Sequence, residues 1–179
     1  MAKTFNIELI TPEKSELWFT KQMLEDPSTM DYNAGYDVNY DGYNYQDGTI
    51  SKSMEEIQGD WYDYFVNNTP ENFYYYIKVG DGYVGEIYAK RDDDKDAYEI
   101  GIIIKGDHRG KGYATPAIGL LCEKLKENGI KKLYHELPST RLNAVKADLN
   151  NGFVKTKETV GDIKRFGEFE NFVYLEKLL

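Results

Sequence analysis

Two closely spaced glycines with basic neighbours form the part of this chain best suited to bind an anion. The segment reads Arg109-Gly110-Lys111-Gly112-Tyr113-Ala114. Glycine lets the backbone turn tightly and approach a ligand without a Cβ in the way. A helix that begins directly afterwards would aim its unpaired N–H groups and the positive end of its dipole at the same point. The pattern therefore predicts a pyrophosphate-binding turn, to which Arg109 and Lys111 add positive charge.

Three known phosphate-binding patterns can be compared with this turn. A P-loop requires Gly-Lys followed by Ser or Thr, which the chain lacks here. The dinucleotide-binding fingerprint requires a third Gly or Ala, where this chain has Thr115. The third pattern is Arg-x-x-Gly-x-Gly/Ala, and Arg109, Gly112 and Ala114 fill it completely.

At these residues the sequence resembles the GNAT superfamily of acetyl-CoA-dependent N-acetyltransferases. The resemblance covers about residues 73–175. It includes Val84-Gly85-Glu86, then Glu99-Ile100-Gly101 before the turn, and a later helix that contains Asn143 and ends at Gly152-Phe153. It implies an α+β (mixed α/β) fold, in which a splayed, mixed and mostly antiparallel sheet is flanked by helices and acetyl-CoA lies in the gap.

The resemblance also implies which residues bind acetyl-CoA. Backbone groups of the apolar strand before the turn would pair with pantetheine, and the Ile104 N–H would face the thioester oxygen. The turn would hold the pyrophosphate, Asn143 would contact the cosubstrate, and no metal would take part. The implied residues are Ile102, Ile103, Ile104, Arg109, Gly110, Lys111, Gly112, Tyr113, Ala114 and Asn143.

One departure from the family pattern concerns the acid that protonates the leaving thiolate. Many members place a Tyr five residues before the closing Phe, and this chain has Asp148 there. An ionised carboxylate cannot donate a proton, and an unperturbed Asp is ionised near neutral pH. The proton would then come from water or from Ser139, Tyr134 or Tyr113.

The amine also needs a base that accepts its proton. Glu99 is the first candidate, since it lies on the strand upstream of the turn, and an ion pair with a lysine is its structural alternative. Glu86 on the preceding hairpin is the second candidate. His135 alternates with leucines at 133 and 137, which favours a buried core histidine over a base.

The charge of the chain is unevenly distributed, with a formal net value of −9. Residues 1–97 hold 20 acidic and 8 basic side chains, whereas residues 98–179 hold 11 and 14. The acidic balance disfavours nucleic acid as a partner, because phosphate neutralisation needs excess Lys and Arg. Carboxylates beside aromatic rings suit a cationic amine, and a solvated acidic surface is the alternative. The predicted acceptor-binding residues are Tyr36, Asp37, Tyr40 and Asp41.

The stretch from Asp37 to Gly42 also reproduces the first half of a calcium-binding loop. Its twelfth position is Gly48, where such a loop needs a bidentate Glu. We therefore predict no metal site. The single cysteine, Cys122, excludes an intrachain disulfide and is expected in the core.

Hydrophobic periodicity predicts helices and strands that alternate irregularly along the chain. Helices are expected from Pro12 to Glu25, over 54–67, from Gly112 to Asn128, and from a Ser139 or Thr140 cap with Leu142, Val145 and Leu149 facing inward. A long loop is expected over 27–53. Strands are expected over 5–9, 73–79, 83–89, 98–105, 130–137, 153–160 and 169–175.

Together these features predict a single domain over 1–179, with acceptor-side helices and loop over 1–72 and an acetyl-CoA-binding core over 73–179. The expected activity is transfer of an acetyl group to a primary amine of a cationic small molecule, such as a polyamine, an aminoglycoside or an amino-acid derivative. A protein or peptide N-terminus is the alternative acceptor, and a non-catalytic CoA-binding module is the alternative class. We expect a cytoplasmic protein without a membrane partner, and a homodimer is compatible with the resemblance.

Overall fold

Seven strands form one mixed sheet in the computed structural model, which describes residues 6–179. The order across the sheet is β1-β2-β3-β4-β5-β7-β6, and every neighbouring pair is antiparallel except β4 with β5. The predicted single-domain α+β fold is confirmed, while Phe5 of the predicted first strand lies outside the described residues. The strands are β1 (Ile7–Ile10), β2 (Asn72–Val79), β3 (Gly82–Asp92), β4 (Ala97–Ile104), β5 (Lys132–Pro138), β6 (Val154–Arg165) and β7 (Glu168–Leu178).

The helices cover both faces of this sheet, and those of the first third are shorter than predicted. The expected helix over 12–25 is a 3₁₀ turn, Lys14–Glu16, followed by α1. The expected helix over 54–67 is interrupted by a π-type turn, Ile57–Trp61, because Gly59 departs from helical backbone angles. The α-helices are α1 (Trp18–Leu24), α2 (Pro27–Met30), α3 (Met54–Glu56), α4 (Tyr62–Phe65), α5 (Ala114–Glu127) and α6 (Leu142–Asn150).

The long loop predicted over 27–53 is folded tightly against the rest of the chain. It contains α2 and a second 3₁₀ turn, Asp31–Asn33. Asp26 caps α2, since its carboxylate accepts from the Ser28 N–H at 3.1 Å. Gly48 has φ +76°, and a Cβ there would lie 2.3 Å from the Met30 carbonyl oxygen. The close return of the loop on itself therefore requires a glycine.

The sheet opens between its two parallel strands. Ladder pairs join β4 to β5 only at Tyr98↔Leu133 and Glu99↔Tyr134 among the described residues. β4 continues to Ile104 with β3 as its neighbour, whereas β5 continues to Pro138 beside β7. The two strands thus diverge after Glu99 and leave a V-shaped gap in the middle of the sheet.

Two hydrophobic cores lie on opposite faces of the sheet. The α5 face is covered by α5 and α6, and the apolar stripe predicted for α5 is buried there, Cys122 included. The tyrosine face is covered by α1, α3 and α4, with Phe19, Tyr74 and Tyr76 at its centre. Because side chains alternate along a strand, successive residues of β3, β4 and β5 belong to these two faces in turn.

The orientation predicted for α6 is wrong for its two leucines, whereas Val145 packs against the core as predicted. Arg141 occupies the N-cap without a side-chain cap, so neither Ser139 nor Thr140 caps the helix. Leu142 is 73% exposed and Leu149 is 49% exposed, whereas Asp148 is fully buried. The small residues Ala144 and Ala147 pack towards the core instead, which lets α6 approach α5 closely. The buried face of α6 therefore contains Ala147 and Asp148, and not Leu142 or Leu149.

Candidate active site

A cleft of about 820 Å³ opens where β4 and β5 part. One wall is the end of β4, and the opposite wall combines β5 with the start of α6. The glycine turn and the first residues of α5 close one end of the cleft, and Tyr32 from the folded loop reaches into it. The lining residues are Tyr32, Ile102, Ile103, Ile104, His108, Arg109, Gly110, Gly112, Tyr113, Ala114, Thr115, Ile118, His135, Leu137, Thr140, Arg141, Leu142, Asn143, Ala144 and Ala147.

The glycine turn has the backbone geometry that its sequence predicts. Gly110 has φ +73° and Gly112 has φ +92°, both in the left-handed region that favours glycine. Helix α5 then begins at Ala114 with no side-chain cap on its N-terminus. The first helical turn therefore offers N–H groups that could bind an anion at this end of the cleft.

Arg109 is oriented towards the folded loop. Its Nη1 donates to Asp31 Oδ1 at 2.7 Å, its Nη2 donates to the Thr29 carbonyl oxygen, and its Nε donates to the Ile104 carbonyl oxygen at 3.2 Å. The Gly106 N–H donates to Thr29 Oγ1 at 2.9 Å. Arg109 thus joins the glycine turn to the loop, and Lys111 Nζ lies 3.5 Å from His108 Nδ1.

The backbone of β4 alternates between its neighbour strand and the gap. The Lys105 N–H donates to the Val84 carbonyl oxygen at 2.9 Å, and Ile103 is the ladder partner of Glu86. In an antiparallel pair every second residue directs its N–H and C=O groups at the neighbour. The main-chain groups of Ile102 and Ile104 therefore point towards the gap, whereas those of Ile103 pair with β3.

Glu86 is a buried carboxylic acid on the tyrosine face, with 7% of its surface exposed. Burial raises the pKa of its carboxyl group to about 7, although a hydrogen bond donated by the Tyr74 hydroxyl acts in the opposite direction. Tyr32 and Tyr88 lie within electrostatic reach of this carboxylate. Tyr32 also lines the cleft, so the carboxylate of Glu86 interacts with one residue of the cleft wall.

Glu99 lies near the start of β4 and lines a second, smaller pocket of about 300 Å³. Burial, with a contribution from the charge of Glu136, raises the pKa of its carboxyl group. Tyr134 shares that pocket, and its hydroxyl donates to Asp92 Oδ2 at 2.6 Å. The two predicted base candidates are therefore on the same face of the sheet. Each interacts electrostatically with one residue that lines the large cleft, Glu86 with Tyr32 and Glu99 with His135.

A histidine–aspartate pair faces the cleft from the opposite side. His135 Nδ1 lies 2.9 Å from Asp148 Oδ2, and His135 lines the cleft. The expectation of a buried His135 is correct, because 8% of its surface is exposed. Its pairing with Asp148 was missed. The signal lay in the helix period, since a polar residue on the buried face of α6 requires a partner.

None of the four predicted acceptor-binding residues lines the cleft, although the Tyr36 hydroxyl lies 3.5 Å from Nη2 of Arg141, which does. The Tyr36 hydroxyl donates to Glu170 Oε2 at 2.7 Å, and Tyr40 packs on Tyr43 with 4.8 Å between the ring centres. Asp37 and Asp41 are exposed on the outer part of the loop. Tyr32 is the residue of this loop that reaches the cleft. The Arg141 guanidinium lies 5.1 Å from its ring centre.

Within residues 6–179, no three His, Cys, Asp or Glu side chains come together as ligands for a metal ion. Over the same range, no helix has both the length and the apolar character of a membrane span.

The comparisons with known proteins identify the family and the fold. The sequence model described as the acetyltransferase (GNAT) family matches residues 36–147, which is more than half of the chain. Among curated proteins, none matches this sequence.

Several solved structures share the fold. Spermidine N-acetyltransferase from Vibrio cholerae, solved with CoA and spermine, gives a TM-score of 0.75 at 18% identity, over 96% of this chain and 95% of that chain. The Vibrio cholerae spermidine/spermine N-acetyltransferase solved with manganese ions gives 0.70 at 17% identity, over 96% and 92%. The protein yncA from Salmonella typhimurium, solved with its cofactor acetyl-CoA, gives 0.73 at 11% identity, over 96% and 93%.

Proposed function

Because the chain belongs to the acetyltransferase (GNAT) family, we propose that it moves the acetyl group of acetyl-CoA to a primary amine of a small cationic molecule. The observation that carries this proposal is the cleft between β4 and β5. It has an anion-binding turn at one end and backbone groups of Ile102 and Ile104 along one wall. A buried carboxylic acid, Glu86, lies on the tyrosine face of the same sheet and interacts with Tyr32 of the cleft.

The cleft suits acetyl-CoA in both charge and shape. The pyrophosphate would bind at Gly110, Gly112 and the start of α5, where N–H groups and the helix dipole favour negative charge. The pantetheine arm would run along β4, pairing with the main chain of Ile102 and Ile104. The side chain of Asn143 lines the same cleft and stays a predicted contact.

The reaction needs stabilisation of the oxyanion that forms when the amine attacks the thioester. A fixed backbone N–H in a site that excludes water provides this without reorganisation. The Ile104 N–H is the proposed donor, since it points into the gap at the end of β4. The glycine turn contributes by holding the thioester in place beside it.

The acceptor amine would enter from the tyrosine face. An amine must lose a proton before it attacks, and a base is most effective when its pKa is near the working pH. Glu86, with a pKa of about 7, meets that condition and would act directly or through one water molecule. Glu99, the first candidate from sequence, is the alternative base, because the pKa of its carboxyl group is also raised.

A cationic acceptor fits the surroundings of this site. Two carboxylates, Glu86 and Glu99, lie on the tyrosine face, and aromatic rings such as Tyr32 and Tyr88 attract cations through their faces. The first 97 residues, which supply Tyr32, Glu86 and Tyr88, carry 20 acidic side chains against 8 basic ones. The roles of Tyr36, Asp37, Tyr40 and Asp41 in acceptor binding stay a prediction.

The proposal is tested by measuring thiol release from acetyl-CoA with a panel of amines. The panel contains spermidine, an aminoglycoside, an amino-acid ester and a peptide with a free N-terminus. We expect release to be fastest with a small polycation. Fastest release with the peptide would overturn the acceptor class, and tight acetyl-CoA binding without release from any amine would overturn catalysis.

Glu86→Gln and Glu99→Gln identify the base in the same assay. Loss of a general base lowers turnover by about 10²–10⁴-fold. We expect a loss of that size for Glu86→Gln with unchanged acetyl-CoA affinity, and a smaller loss for Glu99→Gln. The reverse order would transfer the role to Glu99.

A further inference from the structure

We infer that His135, held by Asp148, is the acid that protonates the CoA thiolate as it leaves. The inference rests on the proposed acetyl transfer and adds the group that completes it. His135 lines the cleft on β5, and its Nδ1 lies 2.9 Å from Asp148 Oδ2.

The hydrogen bond to Asp148 determines which ring nitrogen can act. A carboxylate only accepts hydrogen bonds, so the proton on the shared side belongs to Nδ1. That leaves Nε2 available to a group in the cleft, as an acceptor when the ring is neutral and as a donor when it is protonated. A buried carboxylate that orients an imidazole in this way also stabilises the protonated ring.

The position of Asp148 is difficult to explain by stability alone. The residue is fully buried on α6, and its Oδ1 has no hydrogen-bond partner among the described residues. An unpaired polar atom in the core costs free energy, so an apolar residue of similar size would pack here more favourably. The pair is therefore better explained by what His135 does at the cleft surface.

The two faces of the sheet separate the two proton transfers. His135 alternates with Leu133 and Leu137, which are both in the core of the α5 face. Glu86 lies on the tyrosine face, opposite Ile103. The amine proton is thus removed on one side of the gap and the thiolate is protonated on the other, so the base and the acid do not neutralise each other directly.

The chemical step balances with these groups. The amine nitrogen attacks the thioester carbon, a C–N bond forms, and the C–S bond breaks with its electron pair on sulfur. The Nε2 proton of His135 passes to that sulfur, giving CoA as a free thiol. The ammonium nitrogen loses two protons overall, and both reach solvent through the base. His135 regains one proton from solvent, so one proton is released in each turnover.

The first test titrates the thiol of bound CoA and needs no acceptor. Thiolate absorbance is followed against pH as the difference between samples with and without CoA, which removes the signals of Cys122 and the tyrosines. An adjacent cation lowers an acid's pKa by about 1–3 units. We expect the bound thiol to be more acidic than free CoA in the wild type, and to lose at least about one unit of that shift in His135→Gln.

Other charged and titratable groups around the His135–Asp148 pair are kept constant in this comparison. They are Asp148 on α6, Arg141 before it, Glu99 on β4, Cys122 on α5 and Lys177 on β7. Lys146→Gln, an exposed change on the same helix as Asp148, is the matched control and is expected to leave the titration unchanged.

The second test measures turnover with the best amine of the panel. We expect His135→Gln and Asp148→Asn to lower kcat at least tenfold, with acetyl-CoA affinity and melting temperature close to wild type. The Asp148→Asn variant and the wild-type titration still decide the question if His135→Gln does not fold.

The outcomes separate this inference from the proposed function. A bound thiol no more acidic than free CoA, or a kcat within threefold of wild type in a folded His135→Gln, would overturn the role of His135 while leaving acetyl transfer intact. Failure of every amine, together with an acidic bound thiol that depends on His135, would overturn the acceptor proposal and support the pair.

Discussion

Replacing Glu86 with Gln should make the protein more stable and less active at the same time. The pKa of the Glu86 carboxyl group is raised from an ordinary value of 4.5 to about 7 by burial. Between these two pH values the folded protein keeps a proton on Glu86 that the unfolded chain has released. Stability therefore falls as the pH rises through this window, and the loss is complete above pH 7.

The size of the effect follows from the shift. One pKa unit corresponds to about 1.4 kcal/mol, so ionising Glu86 in the folded state lowers the free energy of unfolding by about 3 kcal/mol. Glutamine has nearly the same shape and can still accept the hydrogen bond from Tyr74, but it has no charge to bury. Glu86→Gln should gain about 3 kcal/mol over wild type at pH 8 and little at pH 4.5.

Urea unfolding followed by circular dichroism measures this difference. Wild type and variant are compared at pH 4.5 and at pH 8 in the same ionic strength, and the double difference removes the other titrating groups. Glu99→Gln, a half-buried change on the same face, is the matched control and should give a smaller value. A double difference for Glu86→Gln below about 1 kcal/mol would refute the reasoning.

Three further variants test the geometry of the site. Gly112→Ala places a side chain at φ +92°, which costs about 1–2 kcal/mol, and calorimetry should show weaker acetyl-CoA binding. Gly101→Ala puts a Cβ 2.3 Å from the Tyr88 ring, so the ring must move, and steady-state kinetics should show a raised KM for the amine. Arg109→Gln removes the contacts to Asp31, and hydrogen exchange of residues 27–33 should become faster, with that of α5 unchanged as the internal control.

The core half of the fold was predictable because its signals are local and repeated. The hairpin of β2 and β3, the apolar β4 and the stripe on α5 all follow from short-range alternation or helix period. The glycine turn was predictable for a similar reason, since few residue types other than glycine adopt the positive φ found at Gly110 and Gly112. These features place the anion-binding end of the cleft.

The acceptor side was less predictable, because it depends on contacts between distant residues. The sequence contains many Tyr and Asp residues over 27–53, and only the tertiary fold selects Tyr32 to line the cleft. The face of α6 was wrongly assigned because Leu142 and Leu149 carry the strongest apolar signal yet remain exposed. From the sequence, Asp148 indicated only that the usual proton-donating Tyr is absent, whereas the structure pairs Asp148 with His135.

Hydrogen bonds join the loop over residues 27–53 to the glycine turn and the residues just before it. These bonds limit which parts of the loop can change to give a new acceptor specificity. Thr29 and Asp31 bind Gly106 and Arg109, and Arg141 donates to the Tyr32 carbonyl oxygen at 2.9 Å. If residues 1–72 were replaced by those of another family member, these hydrogen bonds would be lost unless residues 29–32 were kept. The outer part of the loop, residues 37–47, takes no part in these hydrogen bonds. We expect substitutions to be tolerated best at residues 37–47, where they leave the acetyl-CoA end of the cleft unaffected.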